Sequence, residues 1–305
     1  MIPRREGLIP VRGEAMARTT HPFETEALRL ATTRVLHAHQ QHGFIVMSGP
    51  PGVGKTTCAQ HLVRLINDKE VLGVGVQADT FEVSGRRTRP ASHQSVRGPL
   101  RELYGRYLGT PSSTLFQRDS EHTVTRRVVA ALRQRGLQML LLDEAGTYAA
   151  EELRGLAMIL NISREESWPL TVVLIGMDDI AQTVESLPQI ASRVVRWIWF
   201  APLSRDDWDG IYSVMVPKLT RGKHQAIRNW TWKVCRGSAR ELDKLLVEVV
   251  GRADDSEIPL EDVTLDFVRA VHEEMEEEKR MVRTRGRFRM MARTDPDGDD
   301  DDADE

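Results

Sequence analysis

The sequence predicts an α/β fold, a core with a parallel five-stranded sheet followed by a small all-helical lid. Three observations carry this. Short apolar runs alternate with amphipathic helical stretches between residues 24 and 200, the pattern of parallel strands covered by helices on both faces. A Gly-rich turn, Gly49 to Thr56, stands between the first apolar run and a helical stretch. Beyond Pro202 only helical periodicity remains.

The elements follow in order. Residues 1–20 carry Pro, Gly and Arg without periodicity and read as a flexible arm. The core spans 21–201, the helical lid 202–278, and 279–305 holds a basic segment and an acidic tail. From Glu24 to His39, Leu28, Ala31, Val35 and Leu36 recur at helical spacing. The run GFIVMSG reads as a buried strand, and the segment after it opens a helix. A second strand is expected at 71–80 and helices at 99–108 and 121–135. QMLLLDEAG (138–146) and LTVVLIGM (170–177) read as strands separated by a helix at about 150–161. Residues 179–187 look helical, and RVVRWIWF (193–200) is rich in strand formers. Helices then follow at 205–217, 222–235, 238–252 and 262–278.

Composition bounds the class. The chain has 305 residues and 40% hydrophobic content, enough for a sizeable core. Two cysteines, Cys58 and Cys235, exclude a disulfide scaffold and a Cys-based zinc site. The apolar runs are far short of the roughly 18 residues of a membrane span. The N-terminal stretch has no signal-peptide core. A soluble cytoplasmic protein with no membrane partner is expected. The net charge of −3, from 42 bases and 45 acids, hides separate blocks. Asp295 to Glu305 holds eight acids and no base, and Lys279 to Arg293 holds seven bases and no acid.

The Gly-rich turn, Gly49-Pro50-Pro51-Gly52-Val53-Gly54-Lys55-Thr56, fits GxxxxGK[ST] in full. Its glycines let backbone N–H groups turn inward around phosphate oxygens, and the helix N-terminus adds partial positive charge. Lys55 would reach the β- and γ-phosphates, and the Thr56 hydroxyl would ligate Mg²⁺. Thr57 completes the nucleotide-binding set. Met139 to Leu142 make a buried strand that ends in Asp143-Glu144. Asp143 would hold Mg²⁺, directly or through water, and Glu144 would polarise the attacking water. That adjacency suits hydrolysis by water rather than transfer to an acceptor, so ATP hydrolysis is expected.

Farther along stand Ile175-Gly176-Met177, then Ile190-Ala191-Ser192-Arg193, then Gly237-Ser238-Ala239-Arg240-Glu241-Leu242 in the helical part. With the P-loop and the Asp-Glu strand, this order resembles the AAA+ ATPases. The spacing "LIGMDD…LPQIASRV…APLS" looks most like the transposition ATPases of the TniB/TnsC type, with Mu B-like proteins more distant. The resemblance implies an arginine finger at Arg193, acting on ATP held by a neighbouring subunit, with Arg196 as the fallback. It also suggests Arg240 as a lid-borne γ-phosphate sensor, unless Arg240 forms a lid salt bridge with Glu241 or Asp243. The sequence departs from the family at Gly176-Met177, where a polar residue should face the γ-phosphate. Asp178 does that work, or sensing is weak.

Residues 86–106 hold Arg86, Arg87, Arg89, Arg97, Arg101 and Arg106 against the single acid Glu102. The resemblance places DNA-contacting loops here, where clustered arginines neutralise phosphates without sequence specificity. A solvated face or subunit-contact surface is the alternative. The basic run after 278 could bind DNA or a partner, and the acidic tail could compete for it or simply solubilise the chain. His37, His39 and His42 read as helix surface. Cys58 reads as a small buried hydrophobe. Trp197, Trp199, Trp208, Trp230 and Trp232 read as core or lid packing.

The resemblance therefore implies an ATPase that forms a ring or helical filament on duplex DNA and recruits or activates a transposase. Two alternatives stay open: a helicase-loader or replication-initiator ATPase, and a protein-binding P-loop switch that makes no use of DNA.

Overall fold

The computed structural model describes residues 24–68, 77–82, 98–109, 120–148, 150–219 and 224–291. Five parallel strands form one sheet: β1 Phe44–Ser48, β2 Gln77–Glu82, β3 Leu137–Asp143, β4 Thr171–Ile175 and β5 Val194–Trp199, in the order β2-β3-β4-β1-β5. The parallel five-stranded sheet expected from sequence is present. The central strands are apolar throughout because both of their faces are covered. Phe44 and Val46 feed one core, and Ile45 and Met47 feed the other. Leu140 and Leu142 alternate with Met139 and Leu141 in the same way.

Helices α1 (Glu26–His39) and α2 (Lys55–Asn67) supply the second of these cores. Helices α3 (Gly98–Leu108), α4 (Glu121–Gln134), α5 (Ala150–Glu165), α6 (Asp178–Glu185) and the short α7 (Pro188–Ala191) contribute to the first. Local chemistry sets their starts. The Thr25 hydroxyl accepts from Leu28 N–H and the Ser120 hydroxyl from Thr123 N–H, caps worth about 1 kcal/mol each. Truncating a fully buried leucine such as Leu141 should cost about 2–5 kcal/mol.

Strand β2 lies later than the 71–80 expected, and residues 71–76 fall outside the described residues. Its pairing with β3 extends to Glu82 opposite Asp143. The Asn67 amide clamps its start, accepting from Ala78 N–H at 2.9 Å and donating to Ala78 O at 3.0 Å.

The helical part holds α8 (Arg205–Met215), α9 (Gln225–Cys235), α10 (Ala239–Asp255) and α11 (Leu265–Met291). The chain divides into two compact units. One is Thr19–Ile211 with Arg236–Arg240, and the other includes Tyr212–Cys235 and the chain from Glu241 onward. The short return has a local cause. Leu203 N–H donates to Gly237 O, which ties the 236–240 segment to the chain after β5.

Within the second unit, Leu242, Leu245, Leu246, Val249 and Val250 line the buried face of α10. Helix α11 does not stop at 278 but runs on to Met291. Glu276 bonds Lys279 at 2.6 Å, so the switch from acids to bases is bridged within the helix rather than breaking it. Among the described residues, no helix is long and apolar enough to cross a membrane.

Candidate nucleotide site

The site forms where β1, β3 and β4 end. A parallel sheet directs these carboxyl ends to one side, and ligands of such sheets bind there. Strand β1 ends at Ser48, and the P-loop leads directly into α2. Gly49, at φ 152°, is packed so closely that a Cβ would lie 2.4 Å from Phe200 O. Gly54 precedes α2 at φ 100°, with nothing within 4 Å of its Cβ position. The loop thus has a packed side and an open side, and the open side suits an anion. No side chain caps the N–H groups of the first turn of α2.

Lys55 reaches back over the loop, and its Nζ donates to Gly49 O and Pro50 O at 2.7 Å each. Burial lowers its pKa, while Asp143, Glu144 and Asp178 act to raise it and Arg240 to lower it. These four side chains therefore all bear on one ammonium group. Asp143 is buried at the end of β3, where its Oδ1 accepts from Glu144 N–H at 3.0 Å. Glu144 is exposed and left-handed, at φ 56°, a conformation that costs a non-glycine residue about 1–3 kcal/mol and recurs at functional sites. Thr56 and Thr57 are exposed in the first turn of α2. These groups fit a nucleoside triphosphate with Mg²⁺: an open glycine loop, a half-buried lysine and an adjacent buried carboxylate.

Arg240 belongs to the α/β unit and lies over the P-loop. A Cβ on Gly52 would meet Arg240 Cβ at 2.8 Å and Ser238 Oγ at 2.5 Å. Glu241 bonds Lys244 at 2.8 Å and Lys279 at 3.6 Å. Ser238 was not legible as a site residue, because its contact with Gly52 spans most of the chain.

Arg193 lies elsewhere. Its carbonyl accepts from Phe44 N–H at 2.9 Å, so it sits where β1 and β5 begin. The P-loop is at the other end of β1, about 16 Å away at strand rise. Its guanidinium donates to Gln189 O. Asp178 starts α6 and accepts from Trp199 Nε1 at 3.3 Å. Gly176 is explained by crowding, since a Cβ there would lie 3.0 Å from Ile180 Cβ and 3.3 Å from Gly146 N.

Several expectations require correction. His39 is buried rather than on the helix surface. Its Nδ1 lies 2.8 Å from Thr171 Oγ1, and burial, then His42, lower its pKa to about 4. Trp197 and Trp199 are exposed rather than packed, whereas Trp208 is fully buried. Cys58 is buried as expected, and burial raises its thiol pKa to about 12. Arg86, Arg87, Arg89 and Arg97 lie outside the described residues, as do the N-terminal arm and the acidic tail. Arg101 falls on α3. Arg106, on the same helix, is paired with Asp79 at 2.7 Å.

Residues 37–184 match a family model described as an AAA domain. No curated protein matches the chain. Among solved structures, the Aeropyrum pernix ORC2 protein in its ADPNP–ADP complexes aligns with TM-score 0.61 and 17% identity, over 85% of this chain and 70% of that one. The Aeropyrum pernix ORC1 protein in complex with DNA aligns at 0.57 and 20%, over 85% and 67%. Domain III of the Thermotoga maritima replication initiation protein DnaA aligns at 0.55 and 11%, over 83% and 94%. At these identities the likeness concerns the fold. The chain therefore has the AAA+ P-loop fold, and its residues 37–184 match the AAA-type ATPase domain.

Proposed function

We propose that this protein is an ATP-dependent, DNA-binding AAA+ ATPase that assembles on target DNA and recruits or activates a transposase. One observation carries the ATPase reading: Lys55 closes over a glycine loop that is open at Gly54, with the buried Asp143 carboxylate and Glu144 at the end of β3. In this reading Gly49 to Thr57 hold the phosphates, and Thr56 and Asp143 hold Mg²⁺. The metal, when bound, neutralises charge on the β- and γ-phosphates. Glu144 orients and polarises the attacking water. Arg193 serves the ATP of a neighbouring copy, because it stands at the far end of β1 from its own P-loop. Arg240, over Gly52, senses the γ-phosphate from the lid side. ATP then bridges two copies, so assembly and nucleotide state are linked.

The DNA part of the proposal rests on the arginine-rich stretch, with Arg86, Arg87, Arg89, Arg97 and Arg101 as phosphate contacts. The transposase part rests on the TniB/TnsC-like motif spacing. A replication ATPase is the second reading, favoured by the fold likeness to ORC1, ORC2 and DnaA domain III.

Electron microscopy of the protein with duplex DNA and a non-hydrolysable ATP analogue tests the first reading. Rings or filaments on DNA that Lys55→Ala abolishes are expected. Monomers indifferent to DNA would refute it. Assemblies that stimulate strand transfer by a transposase, and not helicase loading, separate it from the second.

A further inference from the structure

The two tryptophans of β5 lie outside the nucleotide motifs, and only Trp199 touches a site residue, through its bond to Asp178. Trp197 and Trp199 stand two residues apart on one face of this edge strand, 42% and 59% exposed. Met177, 49% exposed, lies beside them, because the adjacent Asp178 accepts the Trp199 indole N–H at 3.3 Å. Asp178 and Asp179 are themselves exposed. Trp199 is the register partner of Ser48, so this face begins one residue before the P-loop's Gly49.

Two indoles and a thioether flanked by two carboxylates select a particular partner. The carboxylates repel a nucleic-acid backbone. Indole faces attract guanidinium groups, and carboxylates bind them strongly. The fitting partner is an arginine-bearing protein surface, and the same α/β unit has one at the opposite end of its sheet. There Arg193 O accepts from Phe44 N–H at 2.9 Å, and Arg164 donates to His42 O at 2.9 Å. The neighbouring acids Glu165 and Glu166 are engaged by Arg126 at 3.4 and 3.5 Å. Along β5, the Arg193 backbone is about 13 Å from Trp197 and about 20 Å from Trp199. The two ends cannot meet within one copy. They meet between copies arranged head to tail, whereas a two-fold dimer would oppose like surfaces.

We infer that the face formed by Met177, Trp197 and Trp199, with Asp178 and Asp179, seats the Arg164–Arg193 end of a second copy of this chain. This rests on the self-assembly proposed above, and it assigns the surface that carries it. The nucleotide junction then has an aromatic border, made by residues outside the nucleotide motifs.

Sedimentation velocity of the full chain with duplex DNA and a non-hydrolysable ATP analogue provides the test. The double variant Trp197→Ser/Trp199→Asp should associate at least about thirtyfold more weakly, as expected when buried aromatic anchors are lost. Its melting curve should match the wild type, and at protein concentrations too low for the wild type to assemble the two should bind a fluorescent nucleotide alike. Arg193→Glu should also fail to assemble alone. Mixed in equal amounts, the two variants should form heterodimers and nothing longer, since one intact interface remains. Wild-type-like assembly of the tryptophan variant overturns the inference and leaves the proposed function standing. Dimers of Arg193→Glu alone also overturn it, since they imply a two-fold contact. A wild-type chain that stays monomeric with both ligands removes the proposed assembly and this surface together.

Discussion

Two glycines of the P-loop separate packing from phosphate binding. Gly52 and Gly54 both have positive φ, +79° and +100°, so an alanine at either is strained by about 1–2 kcal/mol. Their surroundings differ. A Cβ on Gly54 meets nothing within 4 Å, whereas one on Gly52 lies 2.5 Å from Ser238 Oγ and 2.8 Å from Arg240 Cβ. The serine hydroxyl can rotate away. The Arg240 Cβ is fixed to its backbone, so the 238–240 segment must move, at a further cost of about 1–3 kcal/mol. Gly54→Ala should therefore lose about 1–2 kcal/mol of stability and Gly52→Ala about 2–5 kcal/mol. Urea unfolding with matched m-values measures the difference. Nucleotide titration should add a contrast. Gly54→Ala fills the open side assigned to phosphate oxygens, so it loses affinity out of proportion to its modest instability. Equal stability losses would refute the packing of Arg240 on Gly52, and wild-type affinity in Gly54→Ala would refute the cradle.

Other expectations follow from the same geometry. Glu144→Gln should keep nucleotide affinity but slow hydrolysis about 10²–10⁴-fold, read by phosphate release under saturating ATP. Lys55→Ala removes both the cation and the tie to Gly49 O and Pro50 O, so nucleotide affinity should fall at least about tenfold in equilibrium titration. His39 carries a pH signature. Its folded pKa, about 4, is below the ordinary value of 6.5, so the folded state binds fewer protons than the unfolded one. That contribution is fully present above pH 6.5 and is lost as pH falls toward 4. By pH 5 the loss should amount to about 2 kcal/mol, and urea unfolding of His39→Gln should show a correspondingly flatter acid limb.

Much of the fold was legible because its strands are buried on both faces. FIVMS, MLLLD and TVVLI are nearly unbroken apolar runs, and only a central parallel strand needs that. The edges were harder. Strand β2 is placed by its pairing with β3 and by the Asn67 clamp, and neither is a local property of the run VLGVGVQADT. β-Formers in RVVRWIWF marked β5 as a strand but not as an edge. Arg196, between two apolar residues, was the available sign that this strand is not enclosed. The helix expected to end at 278 continues because side-chain pairs across the charge switch favour continuation. His39 looked like a surface residue because its partner Thr171 is 132 residues away.

The site divides along the same line. Gly49 to Thr57 and Asp143-Glu144 are contiguous motifs and could be read directly, but how their charges balance could not. The resemblance called for a polar sensor at the end of β4. Packing of Gly176 against Ile180 and Gly146 leaves no room for one, and the next polar group is the carboxylate of Asp178. A carboxylate repels a γ-phosphate, so Asp178 serves better as a counter-charge to Lys55 while no phosphate is bound. Among the described residues that act on Lys55, the carboxylates of Asp143, Glu144 and Asp178 outnumber the cation of Arg240. Such a site does not neutralise a triphosphate with its own side chains alone. In the proposed reading, added cations come from Mg²⁺ and from a second copy, whose Arg193 is the arginine the fold keeps away from its own P-loop. On the same reading, this deficit couples tight nucleotide binding to assembly, and the tryptophan face of β5 gives the incoming copy a place to dock.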